Sequence, residues 1–228
     1  MNLCVVGKKY IDHVLSVKQF TQNETNPVIK RQESLGGLYN ITNLNFDDHS
    51  SVSTTICGVK RAVIVNEFDK QQRSSLTWDE DNFEYDVPSS GDWIHVMYVD
   101  DINDSCKLLY SSLPFSIDFC TTSDRTLYSS MINSSQLVFD SRERKHLYKD
   151  VITKTPLVFH DKYGCEVVIE NQIVYEHHNK PIKISSVNGA GDIFAAFFIQ
   201  QFLLTGLEDA CIIATDKTVN ELKRINYE

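Results

Sequence analysis

The sequence predicts an α/β fold with a mostly parallel central sheet and a small β flap. Three observations predict it. Apolar segments at 93–99, 114–119, 136–140 and 156–160 alternate with stretches of about ten residues that read as helices. Strands joined by helices of that length need right-handed crossovers and pair in parallel. Near 190–204 the run Ile193-Phe194-Ala195-Ala196-Phe197-Phe198-Ile199 leaves almost no polar face, and a helix apolar all round belongs inside a domain. Residues 10–34 mix β-branched and polar side chains around a turn at 23–27, as exposed strands of a flap do.

The elements follow in order. Residues 2–7 read as a buried first strand, and 10–34 as the flap, a lid segment within one domain spanning 1–228. Gly36 and Gly37 precede a short helix at 38–45. Segments 51–57 and 61–67, with Gly58 between them, read as a hairpin. Beyond the strand at 93–99, helices at 103–112, 124–132 and 142–150 separate the next three strands. An antiparallel pair spans 165–175, turning at 170–172, and helices at 190–204 and 207–224 end the chain.

Bulk composition narrows the function. The chain has 228 residues and a formal net charge of −9, which disfavours nucleic acid as a partner. No apolar run reaches the length of about 18 residues that spans a membrane. Met1–Gly7 lacks the apolar core of a secretion signal and is followed by Lys8 and Lys9, so the expected location is cytoplasmic. Six cysteines are scattered without a Cys-x-x-Cys pair, most inside apolar runs. They are expected as buried free thiols rather than as a disulfide framework.

Chemistry concentrates at Asn188-Gly189-Ala190-Gly191-Asp192, where the buried helix begins. Two glycines let backbone approach a ligand closely, and the first amides of a helix have no intrahelical acceptor. Together they cradle a phosphoryl group or an oxyanion. Asp192 stands in the first turn, where the helix dipole favours its ionised form, placed to take a proton from a substrate hydroxyl. The same residues also read as a tight turn with a helix-capping aspartate.

Ser186-Val187-Asn188-Gly189-Ala190-Gly191-Asp192-Ile193-Phe194 resembles the C-terminal signature of the PfkB sugar kinases, the family of ribokinase and adenosine kinase. The match is complete at the defining positions from Gly189 to Phe194. The resemblance implies a ribokinase-like three-layer α/β/α fold, with Gly189, Ala190 and Gly191 as the anion hole and Asp192 as the catalytic base. Ser186 stands where the family has an aspartate that helps hold a monovalent cation.

Other family positions are matched in chain order. Asp12, after the first strand, is implied to accept from substrate hydroxyls, and a solvated loop carboxylate is the rival reading. Gly36, Gly37 and Asn40 resemble the sugar-binding Gly-Gly-x-x-x-Asn motif with one residue fewer, and a helix entry with a surface Asn is the alternative. Asp140 and Glu143 stand at the family's Asn-x-x-Glu motif, which implies metal ligands for Mg²⁺. Their alternative is a capping box at a helix start. Gly164 survives from the family's Gly-x-x-Gly turn near the nucleotide, with Asp161 at the first glycine, and Gly164 and Asn188 are the implied cofactor-binding residues. The chain is shorter than its relatives between Asn40 and residue 61, and at its end.

The resemblance therefore implies an ATP-dependent phosphotransferase acting on a hydroxyl of a sugar, sugar derivative or nucleoside, with ATP and Mg²⁺. A catalytically weak or inactive sugar- or nucleotide-binding protein on the same fold is the second reading. Exposed flap edges invite pairing, so a homodimer through the lid is a further expectation.

Overall fold

Leu3 and Val5 face one side of the first strand, and Cys4 and Val6 the other. This period of two sorts the whole core into two layers. The computed structural model describes residues 1–44, 46, 50–67, 72–182, 184 and 187–227. Its strands are β1 (Asn2–Val17), β2 (Val28–Gly37), β3 (Ser51–Glu67), β4 (Gln72–Asn82) and β5 (Trp93–Val96). They continue with β6 (Phe115–Asp118), β7 (Leu137–Ser141), β8 (Leu157–Asp161), β9 (Gly164–Ile169) and β10 (Gln172–His178). The helices are α1 (Leu38–Thr42), α2 (Ser129–Ser134), α3 (Ala190–Thr205) and α4 (Leu207–Tyr227).

One sheet runs in the order β10-β9-β8-β7-β6-β5-β1-β3-β4, with β2 added to β1. Pairing is parallel from β3 through β1 and β5 to β8, and antiparallel at β8–β9, β9–β10, β1–β2 and β3–β4. On one face Leu3, Val5, Leu137, Phe139 and Val158 meet α1, α3 and α4. On the other, Val6, Ile94, Val96, Ile117, Val138 and Phe159 meet α2 and short 3₁₀ segments. The fold is a three-layer α/β/α arrangement.

The flap is an extension of the sheet itself. Residues 3–6 of β1 pair with β5, and from Lys9 onward that same edge takes up β2. β3 stays on the opposite edge of β1 throughout, so both strands leave the body together. A bulge marks the exit, where Gly7 pairs with Ile56 and Lys8 with Gly58. The expected hairpin at 51–67 is therefore replaced by one continuous strand. Gly58 is not a turn: it sits in the strand, where a side chain would strike the Asp81 carbonyl.

Helices expected at 103–112, 124–132 and 142–150 are mostly 3₁₀ segments, Ser105–Tyr110, Arg125–Tyr128 and Arg142–Tyr148, with α2 completing the second. Each anchors on few buried apolar residues, such as Leu108, Met131, Ile132 and Tyr148. That is too little packing to hold several turns of α-helix. The helix expected at 38–45 ends at Thr42, and residue 45 lies outside the described residues. The pair at 165–175 and the last two helices stand as expected, with Glu170 and Asn171 both at positive φ in the turn. Cys165 and Cys211 depart from the expected free thiols. β9 packs against α4, which brings their Cα atoms to 6.3 Å and joins their sulfurs in a disulfide. Among the described residues no helix is long and apolar enough to cross a membrane.

Candidate active site

The turn before α3 is shaped by glycine. Gly189 has φ 75°, and a side chain there would collide with the amide of Asn40. The Ile193 amide makes the first i→i−4 bond, to the Gly189 carbonyl at 3.0 Å, so the Gly191 amide has no acceptor inside the helix. Ala190 and Gly191 keep partial exposure, so the turn is not sealed into the interior.

Asp192 lies deeper, 3% exposed. Its two oxygens receive different donors. Asn40 Nδ2 donates to Oδ2 at 2.6 Å, and the Tyr98 hydroxyl donates to Oδ1 at 2.7 Å. Asn40 comes from α1, directly after β2, and Tyr98 follows β5, so three elements converge on one carboxylate. A carboxylate oxygen accepts more than one hydrogen bond, so neither donor by itself exhausts the oxygen it reaches.

The sugar-site residues expected from the sequence gather beside it. Asp12 is buried on β1, and its Oδ2 accepts from Asn188 Nδ2 at 2.8 Å. Gly36 lies against the Asp12 carboxylate, with no room for a side chain. Gly37 has φ 61° and packs on the Lys8 carbonyl and the Tyr10 ring. Asp12, Gly36, Gly37, Asn40, Asn188 and the Gly189–Asp192 turn therefore form one constellation at the junction of body and flap. Asn188 spends its amide on Asp12. Ser186 lies outside the described residues.

No family model and no curated protein matches the sequence. Solved structures do. A nucleoside kinase from Burkholderia thailandensis in complex with inosine superposes with a TM-score of 0.67 at 12% identity, covering 96% of this chain and 90% of that one. A ribokinase from Thermotoga maritima gives 0.65 at 16%, covering 98% and 93%. A microbiome-derived acarbose kinase gives 0.59 at 18%, covering 100% and 99%. The chain has the ribokinase-like fold.

Within this ribokinase-like fold, the ends of β6, β7 and β8 carry residues that sequence reasoning missed or placed differently. Asp140 is 1% exposed and fully engaged. Arg125 Nη2 donates to its Oδ2 at 2.8 Å, Tyr148 donates to the same oxygen at 2.9 Å, and Arg144 Nε donates to Oδ1 at 2.6 Å. Two guanidinium groups repel a dication, so Asp140 does not fit Mg²⁺. Glu143 is exposed and sits apart from that network. The cap of the following segment is Ser141, whose Oγ accepts from the Glu143 amide at 3.4 Å, in place of the Asp140–Glu143 capping box. Among the described residues no cluster of three or more acidic, His or Cys side chains could hold a metal.

Gly164 answers to packing: its φ is 130°, and a side chain would overlap the His177 carbonyl. Asp118, at the end of β6, is pushed well above the usual carboxylate range by burial and by the charges of Asp192 and Asp140. His160, at the end of β8, stacks on Phe194 with ring centres 4.9 Å apart and lies directly under Gly191. Burial, aided by Arg144, pushes the His160 imidazole down to about 4, so it is neutral at pH 7. Arg142 follows the residue that pairs with His160, and its Nε and Nη2 are buried and make no hydrogen bond with described residues. Asp161 and Glu176 are its long-range partners at 3.6 and 3.9 Å.

Proposed function

We propose that this protein is an ATP-dependent phosphotransferase acting on a hydroxyl of a sugar, sugar derivative or nucleoside. One observation carries the reading: a carboxylate in the first turn of a buried helix, oriented by donors on both oxygens, adjoins a partly open glycine turn whose Gly191 amide has no acceptor inside the helix. The solved structures it resembles include kinases, one holding inosine and another, from Arabidopsis thaliana, holding ribose and ATP.

In this reading Asp192 accepts the proton of the acceptor hydroxyl as that oxygen attacks the terminal phosphorus and the nucleoside diphosphate leaves. In the Gly189–Ala190–Gly191 turn, the Ala190 amide closes on the Val187 carbonyl at 3.2 Å, and the Gly189 and Gly191 amides are presented to the charge on the transferred group. Asp12, with Gly36 and Gly37 pressed close, and Asn40 hold the acceptor's hydroxyls, and Asn188, expected on the cofactor side, instead braces Asp12 through its amide. Arg142 and the neutral N–H of His160 supply donors toward the nucleotide's phosphates. Gly164 serves the nucleotide side only by holding the β8–β9 turn. Magnesium, which would neutralise phosphate charge, is left to the exposed Glu143 through water, since Asp140 is occupied. We place the protein in the cytoplasm and propose that flap edges of two copies pair.

A second reading, a binding protein that turns over slowly or not at all, is favoured by the depth of Asp192 and by its bonds to Asn40 and Tyr98. One experiment separates them. A thermal-shift screen with ATP and a panel of sugars and nucleosides identifies an acceptor, and phosphate transfer to it is then measured for wild type and Asp192→Asn. The kinase reading expects at least ~100-fold loss in the variant with its fold retained. Equal turnover in the two proteins removes Asp192 from the mechanism, and binding without any transfer favours the second reading.

A further inference from the structure

Tyr98 holds an unusual backbone conformation for a bulky residue. It follows β5 with φ 60° and ψ 58°, in the left-handed region that side chains rarely adopt. Strain of this kind persists where the surroundings enforce it, and it gathers at functional sites. Here the surroundings are visible. The Met97 amide is tied to the Val6 carbonyl at 2.9 Å, which fixes the chain just before the residue. The Tyr98 ring meets Tyr10 edge-on at 5.5 Å and 80°, and Tyr10 is itself pinned by its hydroxyl bond to Asp101 at 2.7 Å. The result of this bracing is a phenol aimed at Asp192 Oδ1.

We propose that Tyr98 is a positioning residue for Asp192: its hydroxyl locks the carboxylate's orientation and keeps it ionised in a buried setting. The idea rests on the reading of Asp192 as the base. Among the described residues, groups facing that carboxylate include Tyr98 and Asn40, Asp118 from β6 with Arg144 beyond it, His160 from β8 under the start of α3, and Asp12 reached through Asn188. Of these, His160 is uncharged at neutral pH, and burial with neighbouring carboxylates raises Asp118 well above the usual carboxylate range. A hydrogen bond donated to the ionised form of a buried carboxylate favours that form. Tyr98 is a dependable donor, because burial and the neighbouring Asp192 hold its phenol far above neutrality. It cannot act as the base itself for the same reason.

The test needs no substrate. Protein labelled with ¹³C at aspartate carboxyls is titrated by NMR, and the Asp192 signal is identified by its loss in Asp192→Asn. Tyr98→Phe keeps the ring and its contact with Tyr10 while removing the donor. The Asp192 midpoint is expected to rise by about one pH unit or more in this variant. Tyr10→Phe, which removes a hydroxyl that bonds elsewhere, is expected to leave the midpoint in place. An unchanged midpoint in Tyr98→Phe overturns the inference, as does an equal rise in Tyr10→Phe. With an acceptor in hand, the acid limb of kcat/KM should move upward by the same amount, with KM little altered. If Tyr98→Phe shifts the NMR midpoint while Asp192→Asn keeps full turnover, the contact stands and the kinase reading fails, so the two failures are distinguishable.

Discussion

Asn40 and Asp192 stand 152 positions apart in the chain and share a hydrogen bond of 2.6 Å. That bond ties the short helix after the flap to the helix that opens from the glycine turn. Asn40→Asp sets a second carboxyl against the first, and two carboxyls at that distance cannot both ionise. The new group is then forced to keep its proton in the folded protein, so its folded pKa lies above its unfolded one. Its favourable contribution is present below pH ~4 and is lost as pH rises toward the folded value. Denaturant melts should show the variant near wild type at pH 4 and clearly weaker at pH 7. A constant difference across that range would mean that Asn40 and Asp192 do not meet.

Gly191 and His160 form a second linked pair. A methyl at Gly191 would lie 3.0 Å from His160 Cε1, closer than real contacts allow without movement of the ring. Gly191→Ala should cost about 1–3 kcal/mol, in the range of overpacking. His160→Ala alone should also destabilise, by removing a ring stacked on Phe194. The double variant should lose less than the sum of the two, since each change makes room for the other. Chemical denaturation of the four proteins measures the coupling, and strict additivity would show that the ring does not pack on the turn.

Asp140 separates an anchoring role from a metal role. Its side chain joins Arg125, which is wholly buried, to Arg144 and Tyr148. Breaking a buried ion pair by removing one partner costs about 3–5 kcal/mol. Asp140→Asn should therefore lower stability by that order in magnesium-free buffer, whereas Glu143→Gln, on an exposed side chain, should change it by less than ~0.5 kcal/mol. Equal and small effects from both would mean that the network is not carrying structural load.

Arg142 offers a test on the nucleotide side. Its Nε and Nη2 are buried yet make no hydrogen bond with described residues. Arg142→Ala should weaken binding of a non-hydrolysable ATP analogue by about 1.5–3 kcal/mol, the worth of a hydrogen bond to a charged group. Calorimetric titration with the analogue reads this directly, and unchanged affinity would place the phosphates elsewhere.

Some of this was legible in the sequence for physical reasons. The α3 start announces itself because Gly189 needs positive φ and the residues after Asp192 are apolar on every side. The body strands show because each buries both faces. β4 was not legible: Trp78-Asp79-Glu80-Asp81 lies at the flap's edge with no buried face to impose alternation. The continuity of β3 was hidden because Gly58 looks like a turn, and only its pairing with Lys8, one residue past the bulge at Cys57, shows that the strand runs on. Tyr98 carried no mark at all, since nothing in a tyrosine announces a left-handed backbone. The Asp140 network was invisible because Arg125 reaches it from fifteen residues away.

Two histidines, the buried His95 and the half-buried His160, contribute a pH dependence with a definite sign. His95 is fully buried, and burial pushes its imidazole down to about 3, while His160 is pushed down to about 4. In the unfolded chain both take up protons near the ordinary value of 6.5. Between those values the unfolded state binds more protons, so stability rises with pH. The contribution is complete above pH 6.5 and declines as pH falls toward 4 and then 3. At pH 5 each histidine costs about 2 kcal/mol relative to neutral pH. Asp118 runs the other way, because burial raises its carboxyl above the unfolded value and so favours lower pH. A comparison of two proteins therefore isolates the effect better than wild type alone. His95→Phe keeps an aromatic ring against Phe139 and leaves the Ser116 hydroxyl with its Trp93 donor at 2.9 Å. The variant should lose about 2 kcal/mol less than wild type between pH 7 and pH 5 in urea melts. Parallel losses in the two proteins would show that His95 is already protonated in the fold.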